Sequence, residues 1–155
     1  MGSQRVGLVS DTHGLLRPEL LEALAGCTLI VHAGDVGRPE VLDGLRQVAP
    51  VVAVRGNVDR GSWVQQLRRT EVVELGQALL YVIHDLGEMD LDPVAAGFQV
   101  VVSGHTHKPR SRRDRGVLYV NPGSAGPRRL ERPISAAVLL LEDGYLQVQW
   151  IELRG

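Results

Sequence analysis

The chain reads RVGLVSDTHG from Arg5 to Gly14, a short apolar run that ends on an aspartate and a histidine. The run Val6–Ser10 predicts a buried strand because it is apolar, short and followed by turn-forming residues. The same pattern recurs four times, in LIVHAGD from Leu29, VVAVRGNVD from Val51, LLYVIH from Leu79 and VVVSGHTH from Val100. In open α/β sheets the functional residues follow the carboxyl ends of the strands, so these five loops are expected to meet in one crevice.

Helical patterns separate the first three of these strands. Pro18–Ala25 and Pro39–Val48 each begin with a proline and carry an apolar stripe, which is typical of amphipathic helices. The strand between them is predicted over Thr28–His32, and the next one starts after Pro50. The resulting β-α-β-α-β order predicts parallel strands.

Shorter connections follow Asn57. Strands are predicted at Val72–Leu75, Leu79–Ile83, Val100–Ser103 and Val117–Val120, with a short helix at Pro93–Ala96. Asp143-Gly144 predicts a hairpin turn between Ile134–Leu141 and Leu146–Leu153. The chain is therefore expected to be an α/β protein in which two mixed β-sheets pack face to face with helices outside, and residues 1–155 are expected to form a single domain.

Composition narrows the class of protein. The 155 residues are 44% hydrophobic and 23% charged, as in ordinary soluble proteins, and no apolar run approaches the roughly 20 residues of a membrane span. No secretion signal is recognisable at the start, and the single cysteine, Cys27, excludes an intrachain disulfide. A cytoplasmic protein without a membrane partner is expected, with a homo-oligomer left open.

Charge is distributed unevenly along the chain. The net charge of −1 and a total of six aromatic residues argue against general nucleic-acid binding. Residues 108–132 nevertheless hold eight basic and two acidic residues, a net charge of +6. This segment would suit a phosphate-bearing substrate, or it is a solvated arginine-rich hairpin, and the sequence leaves both interpretations open.

The residues that end the five runs are suitable metal ligands. Aspartate, histidine and asparagine together form a donor set for a transition metal. Within D-x-H and H-x-H, residues two apart on extended backbone face the same side. Taken singly, Asp11 and Asp35 could be helix caps, Asn57 a turn residue and His84 a core histidine. Taken jointly, with four of the five histidines in the motifs, they predict a metal site. The fifth, His32, is interpreted as a core or ligand-orienting group.

The motifs D-x-H, G-D, G-N-x-D, H and G-H-x-H occur here in the order typical of calcineurin-like metallophosphoesterases, a family that the chain resembles from Val6 to its last strand. The turn Asn121-Pro122-Gly123-Ser124 and the closing hairpin are similar to those of its small prokaryotic phosphodiesterase branch. The resemblance implies hydrolysis of a small phosphodiester, and it leaves the particular substrate open.

The resemblance also implies roles for individual residues. Two divalent transition-metal ions are expected, with manganese preferred and iron, zinc, nickel or cobalt as alternatives. The first ion would be bound by Asp11, His13 and His107, the second by Asn57, His84 and His105, with Asp35 bridging them. A hydroxide shared by the ions would attack the phosphorus. Asn57, His105 and Asp59 are expected to serve catalysis, Asp59 by supporting a ligand, while Arg55 and Arg128 contact the phosphate or merely pin a loop.

Three departures from the family pattern stand out. Val58 occupies the position where many relatives carry the histidine thought to protonate the leaving group. His84 is followed by Asp85-Leu86, where many relatives carry Gly-His, so a second substrate-contacting histidine is missing. Asp85 would add negative charge if it faced the site, but an outward-facing loop residue is the favoured interpretation.

Two other functions remain open at this point. The first is a phosphomonoesterase or nucleotidase that uses the same site. The second is a metal-poor protein-binding scaffold, as in the retromer subunit that shares this architecture. All seven ligand positions carry competent donors here, which favours the enzyme.

Overall fold

The computed structural model describes residues 3–129 and 131–154, and its strands form two five-stranded sheets. The first sheet has the order β10-β9-β1-β2-β3. Its strands are β1 (Gln4–Val9), β2 (Leu29–His32), β3 (Val51–Ala53), β9 (Ile134–Glu142) and β10 (Tyr145–Leu153). β1, β2 and β3 are parallel, and the β9–β10 hairpin joins β1 in antiparallel register.

The second sheet has the order β4-β5-β6-β8-β7. Its strands are β4 (Thr70–Leu75), β5 (Ala78–Ile83), β6 (Val100–Val102), β7 (Arg110–Asp114) and β8 (Val117–Asn121). β5, β6 and β8 are parallel, whereas β4 and β7 pair antiparallel at the two edges. Within each sheet, the parallel strands therefore bring their carboxyl ends, and the loops that follow, to one edge.

The main core lies between the sheets. Val6 and Leu8 of β1 and Val31 of β2 belong to one buried cluster with residues of the second sheet such as Leu80 and Val102. Side chains alternate along each strand, so the opposite face of the first sheet needs its own cover. The helices α1 (Pro18–Ala23) and α2 (Pro39–Arg46) supply it, since residues of both belong to a second cluster with β1 and β9 residues.

The outer face of the second sheet is covered more lightly. Tyr81, Val101 and Phe98 form a third cluster, against which Met89 and Leu91 pack. This cover comes from the segment between β5 and β6, which contains the 3₁₀ turn Leu86–Glu88 and the short helix α3 (Pro93–Ala96). A further 3₁₀ turn, Ser62–Gln66, connects β3 to β4. No helix within the described ranges is long and apolar enough to span a membrane.

The architecture confirms the predicted pair of mixed sheets with helices outside. The two main helices are shorter than predicted, since they end at Ala23 and Arg46. The turn at Asp143-Gly144 has positive φ at both residues (50° and 82°), as a tight hairpin with right-handed strand twist requires. One strand was not predicted, namely β7, because all five of its residues are exposed and three are arginines, without apolar alternation.

Candidate metal centre

Backbone hydrogen bonds join the loops that follow β1, β2, β5 and β6. The amide of Asp11 donates to Gly34 O at 3.0 Å, and that of His13 donates to Asp35 O at 3.0 Å. The amide of Gly104 donates to His84 O at 2.9 Å. The first two bonds join loops of the first sheet, and the third joins loops of the second. The amide of His105 donates to Asp11 Oδ2 at 3.1 Å and connects the loops of the two sheets, so the polar side chains at the strand ends lie in one place.

Five of the seven predicted ligands have a backbone conformation that side chains rarely adopt. Their φ angles are positive: 56° for Asp11, 48° for His13, 55° for Asp35, 74° for His105 and 65° for His107. Such left-handed residues cost about 1–3 kcal/mol each and persist where the surroundings impose them, most often at functional sites. The prediction that D-x-H and H-x-H lie on extended backbone is therefore wrong, because sharp turns direct these side chains.

Asp11 lies at the bottom of the site and is completely buried. Its Oδ2 accepts hydrogen bonds from Ser10 Oγ (2.6 Å) and from the amide of His105 (3.1 Å). Its Oδ1 faces Nε2 of His107 at 3.3 Å and Nε2 of His13 at 3.8 Å. Burial alone would raise the pKa of Asp11, but His13 and the Ser10 hydroxyl outweigh it and lower that pKa, so the group is a carboxylate at neutral pH.

Asp35 is arranged in the same way. Its Oδ1 accepts the amide of Val58 at 3.0 Å, while Oδ2 lies 3.2 Å from Nε2 of His84 and 3.8 Å from Nε2 of His13. Burial would raise the pKa of Asp35, but His84 and the Val58 amide hold it well below its usual range. Burial would conversely lower the pKa of His84, yet Asp35 and Asp11 raise it.

The hydrogen bond made by one ring nitrogen of His84 determines which nitrogen is available to bind a metal ion. Nδ1 lies 2.8 Å from the carbonyl oxygen of Ala33, which can only accept, so Nδ1 carries the proton. Nε2, which lies 3.2 Å from Asp35 Oδ2, carries a proton only in the cationic ring and offers its lone pair in the neutral ring. This arrangement, with one nitrogen on a backbone carbonyl and the other free, is the usual one for histidine ligands.

The donor atoms in the centre fit a cation. Asp11 Oδ1, His13 Nε2 and His84 Nε2 are buried and have no hydrogen-bond partner among residues 3–129 and 131–154. Buried polar atoms are nearly always paired, so three orphans in one place need a ligand. Two sets of three residues each offer donor atoms that all lie within 4.8 Å of one another. The first set is Asp11, His13 and His107, and the second is Asp11, Asp35 and His84. The first equals the set predicted for one ion, and Asp11 belongs to both.

His105 and Asn57 lie at the outer side of this centre. The His105 ring is 5.3 Å from that of His84, whereas the His107 ring is 5.4 Å from that of His13. The two histidines of H-x-H thus face different parts of the centre, as their predicted assignment to different ions requires. Asn57 is exposed beside Val58, whose amide is bound by Asp35.

Asp59 and Arg55 make contacts with the backbone. The buried Asp59 carboxylate accepts the amides of Val36 (3.2 Å), Gly37 (2.9 Å) and Gly56 (2.9 Å), which ties the Asn57 loop to the Asp35 loop. Nη2 of Arg55 donates to the carbonyls of Val64 and Leu67 at 3.1 and 3.3 Å. Arg128 is exposed. Phosphate contacts by the two arginines stay predictions.

Asp85 faces the centre, contrary to the outward orientation favoured from the sequence. Its Oδ2 lies 3.9 Å from Nε2 of His105, and the side chain is only 29% exposed. Its Oδ1 accepts the amide of Gly87 at 3.0 Å, which caps the 3₁₀ turn Leu86–Glu88 and fixes the carboxylate. A third carboxylate therefore lies at the edge of the site beside His105.

Comparison with known proteins identifies the family. Residues 5–144 match the family model described as the calcineurin-like phosphoesterase superfamily domain. The chain belongs to the calcineurin-like phosphoesterase superfamily. A probable metallophosphoesterase of Methanocaldococcus jannaschii is 32% identical over 99% of this chain and 83% of its own length. The family resemblance drawn from the motifs is thereby confirmed.

Solved structures show the same fold. A protein described as a novel archaeal phosphodiesterase superposes with a TM-score of 0.79 at 20% identity, over 97% of this chain and 100% of its own. The Zn²⁺ complex of Vps29 from Entamoeba histolytica superposes with a TM-score of 0.73 at 22% identity, over 96% and 99% of the two chains. At such identities the likeness concerns the superfamily fold alone.

Several supporting residues of this candidate site escaped the sequence-based prediction. Ser10 binds Asp11 Oδ2, and Ser124 Oγ donates to the carbonyl oxygen of Asp11 at 3.0 Å. Gly104 and Gly56 are also part of the site, because a Cβ at Gly104 would overlap Ser10 Oγ and one at Gly56 would overlap the Asp35 backbone. The glycines of G-H-x-H and G-N-x-D were the available signal, since glycine permits such close approach.

His32 supports the loop between Asp11 and His13. Its Nδ1 accepts the amide of Gly34 at 3.1 Å, so the proton is on Nε2, which lies 3.0 Å from Thr12 Oγ1. Thr12 Oγ1 donates onward to Val36 O at 2.8 Å. Complete burial lowers the pKa of His32 to about 4, and the ring is therefore neutral at physiological pH.

The buried ring predicts a loss of stability in acid. A histidine whose pKa falls from 6.5 when unfolded to about 4 when folded favours the unfolded state as pH drops below 6.5. Above pH 6.5 the ring is neutral in both states and the free energy of unfolding is unaffected. By pH 5 the free energy of unfolding should have fallen by about 2 kcal/mol. Urea unfolding of metal-free wild type and His32→Gln at pH 7.5 and pH 5 measures it. The variant should lose less stability than wild type between these pH values, and equal losses would contradict the prediction.

Proposed function

We propose that this protein is a phosphodiesterase that uses two divalent transition-metal ions, with manganese preferred. The observation that carries the proposal is the set of buried, unpartnered ligand atoms on Asp11, His13 and His84, around which two three-residue donor groups form. Imidazole and carboxylate donors suit manganese, iron, zinc, nickel or cobalt better than magnesium or calcium. Membership of the phosphoesterase superfamily supports the reaction class.

The ligands divide between two ions. Asp11, His13 and His107 would hold the first ion, and Asn57, His84 and His105 the second, with Asp35 between them. The free oxygen of Asp35, which lies 3.2 Å from His84 and 3.8 Å from His13, supports this bridging position. When bound, two such ions would polarise the phosphoryl group and lower the pKa of an attacking water.

The protein's own residues would fix the geometry of the reaction. Asp59 binds three backbone amides and so holds the Asn57 loop against the Asp35 loop. The amide of His105 binds Asp11 Oδ2, which couples the position of that ring to the first ligand group. Val58, 49% exposed beside Asn57, has no proton to give to a leaving group.

The proposal predicts complete metal dependence. Purified protein should contain up to two transition-metal ions per chain, and dialysis against a chelator should abolish hydrolysis of bis-nitrophenyl phosphate. Added Mn²⁺ should restore the activity, because the ligand atoms remain in place. Elemental analysis and steady-state kinetics are the measurements. Full activity in EDTA, or protein without any bound transition metal after Mn²⁺ loading, would refute it.

The proposal also predicts a preference for diesters over monoesters. A monoester carries nearly two negative charges at neutral pH and a diester carries one. Asp85, 3.9 Å from His105, lowers the positive charge of the site by one unit and so disfavours the dianion. The measurement compares kcat/KM for bis-nitrophenyl phosphate with that for nitrophenyl phosphate. A clear preference for the monoester would favour the alternative, a phosphomonoesterase or nucleotidase.

Asp85→Asn tests the cause of that preference. Removing one charge near the site should lower the ratio of kcat/KM for the diester to kcat/KM for the monoester about fivefold, which corresponds to on the order of 1 kcal/mol. Asp92→Asn is a matched control, because its carboxylate caps α3 and binds Arg115 away from the ligands. An unchanged ratio in Asp85→Asn would remove Asp85 from the explanation.

A metal-poor protein-binding scaffold is the second candidate. The fold of Vps29 from Entamoeba histolytica is the observation that keeps it open. The complete ligand set and the unpartnered ligand atoms of this chain favour the enzyme. Metal-loaded protein that hydrolyses no phosphoester in a broad screen would leave the scaffold as the better explanation.

A further inference from the structure

A cavity of about 400 Å³ lies beside the metal centre, and none of the seven proposed metal ligands lines it. Asp85 and Gly104 line it where the loops of the centre begin, and Asn121 and Tyr119 of β8 line it farther along. Nδ2 of Asn121 donates to Gly104 O at 2.9 Å, so the β8 strand is attached directly to the loop that carries His105. Asp85, whose Oδ2 lies 3.9 Å from Nε2 of His105, places one end of this cavity next to the centre.

Three cations line the same cavity. They are Lys108, Arg110 and Arg112, and we refer to the space that they line as the basic cavity. Arg110 pairs with Asn121 and Arg112 with Tyr119, so the two guanidinium groups follow each other along β7 away from the metal centre. Lys108 and Arg110 form no ion pair in the part of the chain that the structure describes. An anion in the cavity would therefore not have to displace a carboxylate from them.

The arginines of β7 and of the turn after it differ in what their side chains contact. Alternate residues face opposite sides of a strand, which puts Arg110 and Arg112 at the cavity and Arg113 on the other side. Arg113 donates to Leu146 O at 3.1 Å, and Arg115 in the following turn binds Asp92 at 2.9 Å. These two arginines support the structure, and only part of the basic segment is available to a ligand.

The cavity recognises charge rather than an aromatic base. The guanidinium carbon of Arg112 lies 4.3 Å from the centre of the Tyr119 ring, so that face of the ring is covered. Asp114, 54% exposed and 3.8 Å from Arg112, neutralises that arginine only weakly because solvent screens the pair, and Asp85 lines the cavity at its end next to the centre. Paired guanidinium and ammonium groups are the usual partners of phosphate.

We infer that the basic cavity binds a second phosphate of the substrate, so that the preferred substrates are phosphodiesters whose ester group carries a terminal phosphate. A 5′-phosphorylated dinucleotide is the simplest compound of this kind. The inference rests on the proposed function for the cleaved bond. It explains why the chain carries strong positive charge next to a site that itself prefers a monoanionic phosphodiester.

The kinetic test compares one dinucleotide with and without a 5′-phosphate. Wild type should favour the phosphorylated form by at least about tenfold in kcat/KM, mostly through KM, as expected for charge-assisted hydrogen bonds. The double variant Arg110→Gln/Arg112→Gln should lose this preference, so that its ratio of the two kcat/KM values approaches one. The matched double variant Arg113→Gln/Arg115→Gln should keep it, although it removes the same charge from the same hairpin. Equal ratios in the two variants would overturn the inference.

A binding test separates this inference from the proposed reaction. The probe is a 5′-phosphorylated dinucleotide with a methylphosphonate linkage, titrated by calorimetry into the Mn-loaded protein. Binding that Arg110→Gln/Arg112→Gln weakens and Arg113→Gln/Arg115→Gln retains would support the cavity even if no phosphodiester were hydrolysed. Binding of inorganic phosphate that Arg110→Gln/Arg112→Gln weakens by the same factor would overturn it, because the cavity would then hold only a lone anion. Hydrolysis without any such binding would overturn the cavity and leave the proposed function intact.

Discussion

Asp35→Ala is expected to lower kcat/KM for bis-nitrophenyl phosphate by roughly 10³-fold or more, the largest loss for any single ligand. Its free oxygen lies 3.2 Å from His84 Nε2 and 3.8 Å from His13 Nε2, one nitrogen from each proposed ion site. No other carboxylate lies between those two nitrogens in the described ranges at these distances. The bound metal should fall below one ion per chain by elemental analysis.

Asp35→Asn distinguishes loss of charge from loss of structure. An asparagine can still accept the Val58 amide, which Asp35 Oδ1 binds at 3.0 Å, but it carries no negative charge. Its thermal midpoint should therefore stay near that of metal-free wild type while activity is lost. Asp43→Ala is the control, since Asp43 is 71% exposed and forms an ion pair with Arg46 on α2. More than a tenth of wild-type activity in Asp35→Asn would contradict the bridging role.

The second large effect concerns the leaving group. General acid catalysis contributes about 10²–10⁴-fold when the leaving group is poor, and Val58 cannot supply the proton. Rates on a series of aryl methyl phosphates should fall steeply as the pKa of the leaving phenol rises. Nitrophenyl esters should be cleaved well and alkyl diesters poorly, because negative charge builds up on the departing oxygen.

Val58→His should recover part of the activity on poor leaving groups and flatten this dependence. The side chain is 49% exposed and follows Asn57 directly, so a histidine ring has room at the entrance of the site. Val72→His is a matched control, since Val72 is 54% exposed on the edge strand β4. A flat dependence in wild type, with chemistry shown to be rate-limiting, would mean that another residue supplies the proton.

Much of the fold and of the candidate site was predictable because it depends on local patterns. Short apolar runs bounded by turn residues identified most of the strands, apolar stripes behind an initial proline identified the helices α1 and α2, and turn residues located the β9–β10 hairpin. β7 was missed since its register depends on pairing with β8, and an exposed edge strand needs no apolar alternation. The order of the motifs sufficed to identify the family.

The arrangement of the site depends on contacts between residues far apart in the chain. The left-handed turns at Asp11, His13 and His107 are imposed by loops that meet from both sheets, and no local propensity favours them. Asp85 faces His105 and Asp59 binds three amides for the same reason. Sequence alone determined which chemical groups end the strands, because that is written in neighbouring residues. Only the tertiary structure decided which oxygen and which nitrogen face each other, because a few ångströms between distant loops set those distances.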